Sequence, residues 1–412
     1  MPHPMQEAPQ PARPPAPSYE GFAEPAFADV AKCFDKLFGA PRGGGGALVV
    51  RWRGRTVVDV WKGFSDREGT RPWTRDTMAI SFSTTKGVAS TVIHRLADRG
   101  LIDYDRPVAT YWPEFAAGGK KRITVRQLLS HQAGLHSVKA VATDADAILD
   151  HIAMEKRLAL RLPDGGPGRP AYHALTYGWL VAGLARRVTG KGMAELVRTE
   201  IAEPLGLDGG LSIGAPPDGL ARVAAPVGAR QRLVWMAGRL LTPVGGRFAF
   251  TRRAAEALYV PGFETLLDGA EPRLLQTEMP AANGVFSAHA LATMYAALAD
   301  AGRGDGAQLV SRDTVLELGR VQTRERDGVL GWPMRWRLGY HQAIAIGAQA
   351  GKAFGHFGYG GSGAWADPVS GLSFAFVTNK LGTLTTPMGD LGLFRLSGLA
   401  LAAVQRSRPR TR

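Results

Sequence analysis

The stretch Ser83–Gly100, STTKGVASTVIHRLADRG, decides how the chain is read. Val88, Val92, Ile93 and Leu96 recur at helical spacing up to Gly100, which predicts a helix starting near Ser83. Residues three apart share a helix face, so the Lys86 amine falls beside the Ser83 hydroxyl. A serine hydroxyl is a weak nucleophile until a base takes its proton. A lysine can be that base only if burial or neighbouring cations bring its pKa toward neutrality. The N-terminus of the helix also directs free N–H groups at any anion forming there. Nucleophile, base and oxyanion donor can thus come from a few adjacent residues. The competing reading is plain: Ser83 caps the helix and Lys86 is a solvated first-turn residue. From average residue usage, Ser-x-x-Lys occurs by chance about once or twice in a chain this long.

Two other segments bear on the choice. Tyr172-His173-Ala174 follows the Pro/Gly-rich stretch Leu162–Pro170 and leads into an apolar helix that carries Thr176-Tyr177-Gly178-Trp179-Leu180. A tyrosine at the mouth of a helix can act as general base or acid if cations hold its pKa down; alternatively it only packs. Gly355-His356-Phe357-Gly358-Tyr359-Gly360-Gly361-Ser362-Gly363 precedes Asp367-Pro368 and the strand-like run Leu372–Thr378. Glycines on a strand let a ligand approach the backbone closely, and an exposed edge there offers a second oxyanion N–H; alternatively the run is a flexible turn.

Working outward, Phe27–Leu37 has helical spacing and Gly43–Gly46 breaks it. Ala47–Trp52 and Thr56–Trp61 are β-branched runs joined by Arg53-Gly54-Arg55, a hairpin signal. The middle of the chain reads as mostly helical, with amphipathic pieces at Val125–Leu129, Leu175–Val188 and Ala288–Leu298; residues 230–270 carry no clear period. Strands return from about Trp336, with Leu372–Thr378 (LSFAFVT) the clearest, and Leu391–Val404 reads as a closing helix. The economical layout is a mixed α/β (α+β) domain built from residues 19–110 and 306–405, with a mostly helical domain, 111–305, inserted between. A disordered Pro-rich tail (1–18) and a basic tail (406–412) flank it. A cleft between two such domains is a natural binding site.

The composition fits a soluble enzyme: 45% hydrophobic and 21% charged residues, enough to bury a core over 412 residues. Cys33 is the only cysteine, which excludes an internal disulfide and a cysteine-based metal site and favours a reducing compartment. The nine histidines show no metal-ligand spacing, so neither metal nor cofactor is expected. The net charge of +14 is spread along the chain; the short clusters Arg51–Arg55 and Arg406–Arg412 are not interleaved with aromatics in a way that would build a base-stacking platform, which argues against a nucleic-acid partner. No secretory signal and no membrane-spanning stretch is visible, and a cytoplasmic location is expected. Oligomeric state is not legible.

In order and approximate spacing, Ser83-x-x-Lys86, Tyr172-His173-Ala174 and His356-Phe357-Gly358 resemble the Ser-x-x-Lys, Tyr-x-Asn and Lys-Thr-Gly or His-x-Gly elements of the serine β-lactamase, penicillin-binding protein and family VIII carboxylesterase superfamily. Val108–Phe115, Ile123–Leu135 and Pro280–Gly284 resemble further segments of that family, and the resemblance covers roughly residues 27–405. It implies the β-lactamase-like fold, an antiparallel sheet flanked by helices with an inserted helical domain. It also implies Ser83 as nucleophile, Lys86 as its base or proton partner, Tyr172 as the catalytic tyrosine, and His356 and Gly358 in the places of the Lys and Gly of Lys-Thr-Gly. The oxyanion hole would be the N–H groups of Ser83 and Tyr359, with Gly358 and Gly360 beside the substrate. Ala174 replaces the family's Asn and His356 its Lys; both lost groups help hold β-lactams, so the pattern favours an esterase. The expected activity is acyl transfer from a small-molecule carboxylic ester to water through an acyl-enzyme on Ser83. A transacylase, a weak β-lactamase or a peptidase on the same site, and a catalytically silent binding protein, are the alternatives.

Overall fold

The structure is a computed structural model that describes residues 19–38, 43–207, 209–228, 249–269, 271–304, 308–381 and 391–407. The expected Pro-rich tail (1–18), residues 408–412 of the basic tail and residues 230–248 and 270 of the stretch without a clear period lie outside these residues. The strands are β1 (Glu20–Ala23), β2 (Gly45–Trp52), β3 (Arg55–Gly63), β4 (Ala79–Ile80), β5 (Leu211–Ile213), β6 (Gly284–Phe286), β7 (His341–Gln342), β8 (Phe354–Phe357), β9 (Gly363–Asp367) and β10 (Leu372–Thr378). The α-helices used below are α1 (Ala28–Leu37), α2 (Thr84–Asp98), α3 (Val125–Leu129), α4 (His151–Leu160), α5 (Thr176–Thr189), α6 (Met193–Val197), α7 (Ala249–Leu258), α8 (Ala288–Ala301), α9 (Arg312–Leu318) and α10 (Gly392–Ser407).

Both ends of the sequence build one seven-stranded sheet, in the order β1-β3-β2-β10-β9-β8-β7, with every neighbouring pair antiparallel. The hairpin between β2 and β3 forms as expected. Arg53 and Gly54 both take positive φ (53° and 77°), the geometry whose twist matches paired strands. At the centre, β10 pairs with β2 so that Val49 faces Ala375 and Val50 faces Phe374. Alternation along these strands buries both faces. Leu48, Val50, Phe374 and Phe376 pack with α1 and α10, while Ala47, Val49, Ala375 and Val377 join the core under α2 and α8. A sheet covered on both sides explains why these strands read as nearly continuous apolar runs.

Helix α2 is buried almost all round, Lys86 included. Gly87 is part of the reason: a Cβ there would sit 2.2 Å from the Tyr295 hydroxyl of α8, so the bare backbone lets the two helices close up. The solvated first-turn reading of Lys86 therefore fails, because packing on every side leaves the stem no route to water.

The segment 111–305 is helical in the main, with one departure from the sequence reading. β6 pairs with both β4 and β5 in a second sheet, order β4-β6-β5. Strands of two or three residues are too short to show an alternating period. This small sheet ties the segment after α6 to the residues just before Ser83. The apolar core is likewise continuous, running from Val49 and Val377 through Val92 of α2 to Leu180 of α5 and Leu291 of α8. No helix among the described residues is long and apolar enough to cross a membrane.

The centre of the sheet should carry much of the stability. Phe374 is fully buried and stacks on Trp365 with ring centroids 5.3 Å apart. Phe374→Ala leaves a cavity between the sheet and α10, and a loss of about 3–5 kcal/mol is expected in chemical denaturation. A change below about 1 kcal/mol would show that this face is not the main core.

Candidate active site

Ser83 sits at the turn into α2, between strand β4 and the helix. Phe82 before it has φ 44°, a left-handed value unusual for a bulky residue. Backbone strain of this kind is tolerated where surrounding packing over-determines the conformation. Ser83 occupies the N-cap position, yet its side chain makes no capping hydrogen bond. Its hydroxyl is turned instead toward two partners. Lys86 Nζ lies 3.0 Å from Ser83 Oγ, and the Tyr172 hydroxyl donates to the same oxygen at 2.8 Å.

The amine has one further contact, donating to the carbonyl of Ala281 at 2.9 Å, just before β6. It also lies 5.0 Å from the centroid of the Tyr172 ring. Burial pushes its pKa well below the ordinary lysine value, and no carboxylate pairs with it among the described residues to oppose the shift. A neutral amine has a lone pair to accept the Ser83 proton while its own N–H serves Ala281. Burial acts in the opposite direction on Tyr172, whose phenol is raised above its usual range despite the hydrogen bond to Ser83. The condition on which a cation-lowered phenol would act as a base is therefore not met: desolvation outweighs the hydrogen bond to Ser83, and the phenol keeps its proton as a donor.

Tyr172 reaches the site from the turn before α5. Its ring stacks on Trp336, centroids 5.4 Å apart and planes 12° apart, with the His131 ring edge-on at 5.1 Å. His131, at φ 60°, accepts the N–H of His173 at Nδ1. His173 accepts the N–H of Leu135 at Nε2 and donates from Nδ1 to the Ala171 carbonyl, so it is held as a neutral ring, with its pKa pushed down to about 3 by burial. Ala174 stands buried beside them and offers no polar group.

His356 lies on β8. Phe354, His356 and Gly358 alternate onto the face toward α2, while Phe357 turns to α10. His356 Nδ1 faces the Phe357 carbonyl at 2.8 Å and donates to it, leaving an Nε2 lone pair with no partner among the described residues. Burial holds this ring well below the ordinary histidine pKa, with His341 and Lys86 adding to the effect. Where the resemblance placed a cation, the structure has a neutral acceptor.

The glycine-rich run is a strand, a turn and a second strand, rather than one glycine-rich strand. Gly358 follows β8, and its N–H donates to the Ser362 carbonyl at 2.7 Å, so it is spent as an oxyanion donor. Its role is steric. A Cβ on Gly358 would fall 2.1 Å from the Ser81 carbonyl oxygen and 3.2 Å from the Ser83 nitrogen. Gly360 (φ 85°) makes the turn and faces Leu381. The Tyr359 ring packs edge-on against Phe82, 5.5 Å between centroids, which brings this turn against the turn that carries Ser83. The Ser83 N–H finds no acceptor among the described residues.

Sequence reasoning named Ser83, Lys86, Tyr172 and His356, and the structure brings all four together. It did not name His131, Trp336, Asp327 or the Ala281 carbonyl, which surround Tyr172 and Lys86. Ser130-His131-Gln132 and Pro280–Gly284 lie in quoted segments, but a backbone acceptor and a packing ring leave no residue-type signal. No group of three or more His, Cys, Asp or Glu side chains able to hold a metal occurs among the described residues. A cavity of about 710 Å³ lined by Leu149, His151, Gly214, Thr277 and neighbours includes none of the groups around Ser83.

An antiparallel sheet with helices on both faces, and a buried Ser-x-x-Lys pair completed by a tyrosine, define an active-site serine protein of the β-lactamase type. Residues 30–393 match the Beta-lactamase family, and the chain belongs to it. An esterase/β-lactamase of Mycobacterium tuberculosis, LipL, is 46% identical over 400 residues, covering 94% of this chain and 89% of that protein. The solved structure of a penicillin-binding protein homologue from Caulobacter crescentus superposes with a TM-score of 0.80 at 36% identity, covering 93% of this chain and 99% of that one. A family VIII carboxylesterase is similar at a TM-score of 0.77 and 31% identity, covering 94% and 99%.

Gly358→Ala tests the steric role directly. The methyl group meets backbone on the nucleophile turn, so the turn must move. A displacement near 1 Å at reacting atoms costs about 100-fold in rate. Turnover of any substrate processed at Ser83 should fall by about that factor while the thermal midpoint changes little. Unaltered turnover would mean that Gly358 does not set the position of Ser83.

Proposed function

We propose that the chain is a serine hydrolase that cleaves small-molecule carboxylic esters through an acyl-enzyme on Ser83. The observation that carries this reading is the hydrogen-bonded series Tyr172, Ser83, Lys86, with a buried amine at its end and the Ser83 N–H free of other acceptors. The ester carbonyl lies over Ser83, and Oγ attacks the carbonyl carbon while its proton passes to Lys86 Nζ. The oxyanion is met by the Ser83 N–H and, from the turn after β8, the Tyr359 N–H. Donors of this kind contribute roughly 3 kcal/mol each to acyl transfer. The proton then moves from Lys86 through the Tyr172 hydroxyl to the leaving alcohol as the C–O bond breaks. Water enters by the same route in reverse and gives up its proton to the pair as it releases the acid. The His356 lone pair accepts from the departing alcohol or the incoming water. No cofactor takes part in these steps. Ser83, Lys86 and His356 come from the sheet-forming segments and Tyr172 from the helical one, so the substrate lies in the cleft between two domains.

β-Lactam hydrolysis is the second reading, favoured by the double name of the Mycobacterium tuberculosis relative. Two features weigh against it as the main activity. Ala174 provides no amide for a β-lactam side chain, and a neutral His356 provides no charge for its carboxylate.

The direct test pairs short-chain p-nitrophenyl esters with a chromogenic cephalosporin. Ester turnover should exceed cephalosporin turnover, vanish in Ser83→Ala, and leave an acyl adduct mapped to Ser83 by intact-protein and peptide mass spectrometry. Ser83→Ala hydrolysing esters as fast as wild type would sink the proposal.

The role of Lys86 fixes the sign of the pH dependence. The amine is a base only above its pKa, which burial lowers. Ester kcat/KM should therefore rise with pH through an acidic limb well below the ordinary lysine value and be lost as pH falls beneath it. Lys86→Arg, charged at every accessible pH, should be at least about 1,000-fold slower. An active arginine variant with an unchanged limb would assign the base elsewhere.

A further inference from the structure

Residues between α9 and β7 form no regular secondary structure apart from turns, yet Trp336 within them stacks on the phenol that touches Ser83. Something other than a helix or strand must hold that indole in place. Asp327 is buried, and its carboxylate gathers four N–H donors. Oδ1 accepts from Val329 at 2.8 Å, Leu330 at 2.9 Å and the Tyr172 backbone at 3.1 Å. Oδ2 accepts from the Trp336 indole Nε1 at 2.8 Å. Beside this hub, Gly328 N–H donates to the Pro170 carbonyl at 2.9 Å, closing the same junction between two loops far apart in sequence.

A carboxylate excluded from water is costly unless donors satisfy it, and no cation forms an ion pair with Asp327 among the described residues. The Val329 and Leu330 contacts are a local turn that an asparagine would serve as well. The other two are not local. One fixes the backbone from which Tyr172 springs; the other fixes the ring against which its phenol lies flat. Between them they remove the two freedoms, backbone shift and ring rotation, that would move the hydroxyl off Ser83.

We propose that Asp327 is a positioning residue for Tyr172, holding both its backbone and its Trp336 stacking partner so that the phenol hydroxyl meets Ser83 Oγ. This rests on the reading of Tyr172 as a proton carrier. Asp327 touches no reacting atom and acts only through that side chain.

The test is a double-mutant cycle on p-nitrophenyl ester turnover with Asp327→Asn, Trp336→Phe and Tyr172→Phe, singly and combined. Asparagine keeps an acceptor for the local turn but presents an amide N–H₂ to the indole N–H. Phenylalanine keeps the ring face and removes the indole donor. Each single change should lower kcat about 10- to 100-fold with KM altered less than about threefold, since the substrate still binds but the proton path is misaligned. In the Tyr172→Phe background neither change should slow turnover further, because the hydroxyl being positioned is gone. If Asp327→Asn proves unstable, Trp336→Phe carries the same comparison. Equal losses in both backgrounds would show that Asp327 and Trp336 only support the fold. Wild-type turnover in Trp336→Phe would overturn the proposal as well. Should Tyr172→Phe itself be as fast as wild type, the Tyr172 reading and the Asp327 role fall together, while loss of turnover in Ser83→Ala would keep the ester hydrolase.

Discussion

Lys86 ends in a position where an ammonium would have no counter-charge and no water. An isolated charge in such surroundings is expensive, and burial accordingly pulls the Lys86 pKa well below the ordinary lysine value. The amine lies 3.0 Å from Ser83 Oγ and donates to Ala281, while the protonated Tyr172 phenol meets the same Ser83 oxygen from the other side. The same desolvation lowers the Lys86 pKa and raises that of Tyr172, so one physical effect shifts the two neighbours in opposite senses.

The histidines around this centre obey the same constraint. His173, His341 and His356 each face a backbone carbonyl with Nδ1, from Ala171, Gln342 and Phe357 respectively, and burial depresses all three. Rings fixed this way are neutral, and they add no cation that would compete with Lys86 or recruit an anionic substrate. A chain with net charge +14 thus encloses a reacting centre nearly free of formal positive charge.

Close backbone approach is what makes the enclosure possible. Gly87 lets α8 press on the nucleophile helix, and Gly358 lets β8 press on the nucleophile turn. With Ala281 contributed from the residues before β6, three separate parts of the chain close in on the turn that carries Ser83 and Lys86. Tyr172 arrives from a fourth, supported by the loop that Asp327 and Trp336 organise. The strain at Phe82 and His131 falls within this convergence and nowhere near the regular sheet centre.

Much of this was legible in advance. Ser83 and Lys86 are separated by one helical turn, and that spacing is local, so their meeting follows from the α-helix itself. The hairpin at Arg53-Gly54, the LSFAFVT strand and the helix from Gly392 also follow from short-range patterns, because period and turn chemistry are properties of consecutive residues. The order of the three motifs carried the family, and the strand-like runs at both ends of the chain carried the sheet assembled from them. The second sheet was not legible, since strands as short as Ala79–Ile80 have no period to read. Nor was the assignment of protonation states. Whether Lys86 is a solvated cation or a buried base, whether Tyr172 is lowered or raised, and whether His356 is a charge or a lone pair depend on water exclusion by segments hundreds of residues away. Gly358 illustrates the division: its identity was visible in the sequence, but the fact that its N–H is spent on Ser362 while its missing Cβ makes room for Ser83 is a matter of distances. The sequence determined which chemical groups are present and which of them are neighbours along a helix. The tertiary structure alone decided which are dry, because desolvation is set by everything packed around a group and by nothing in its own segment.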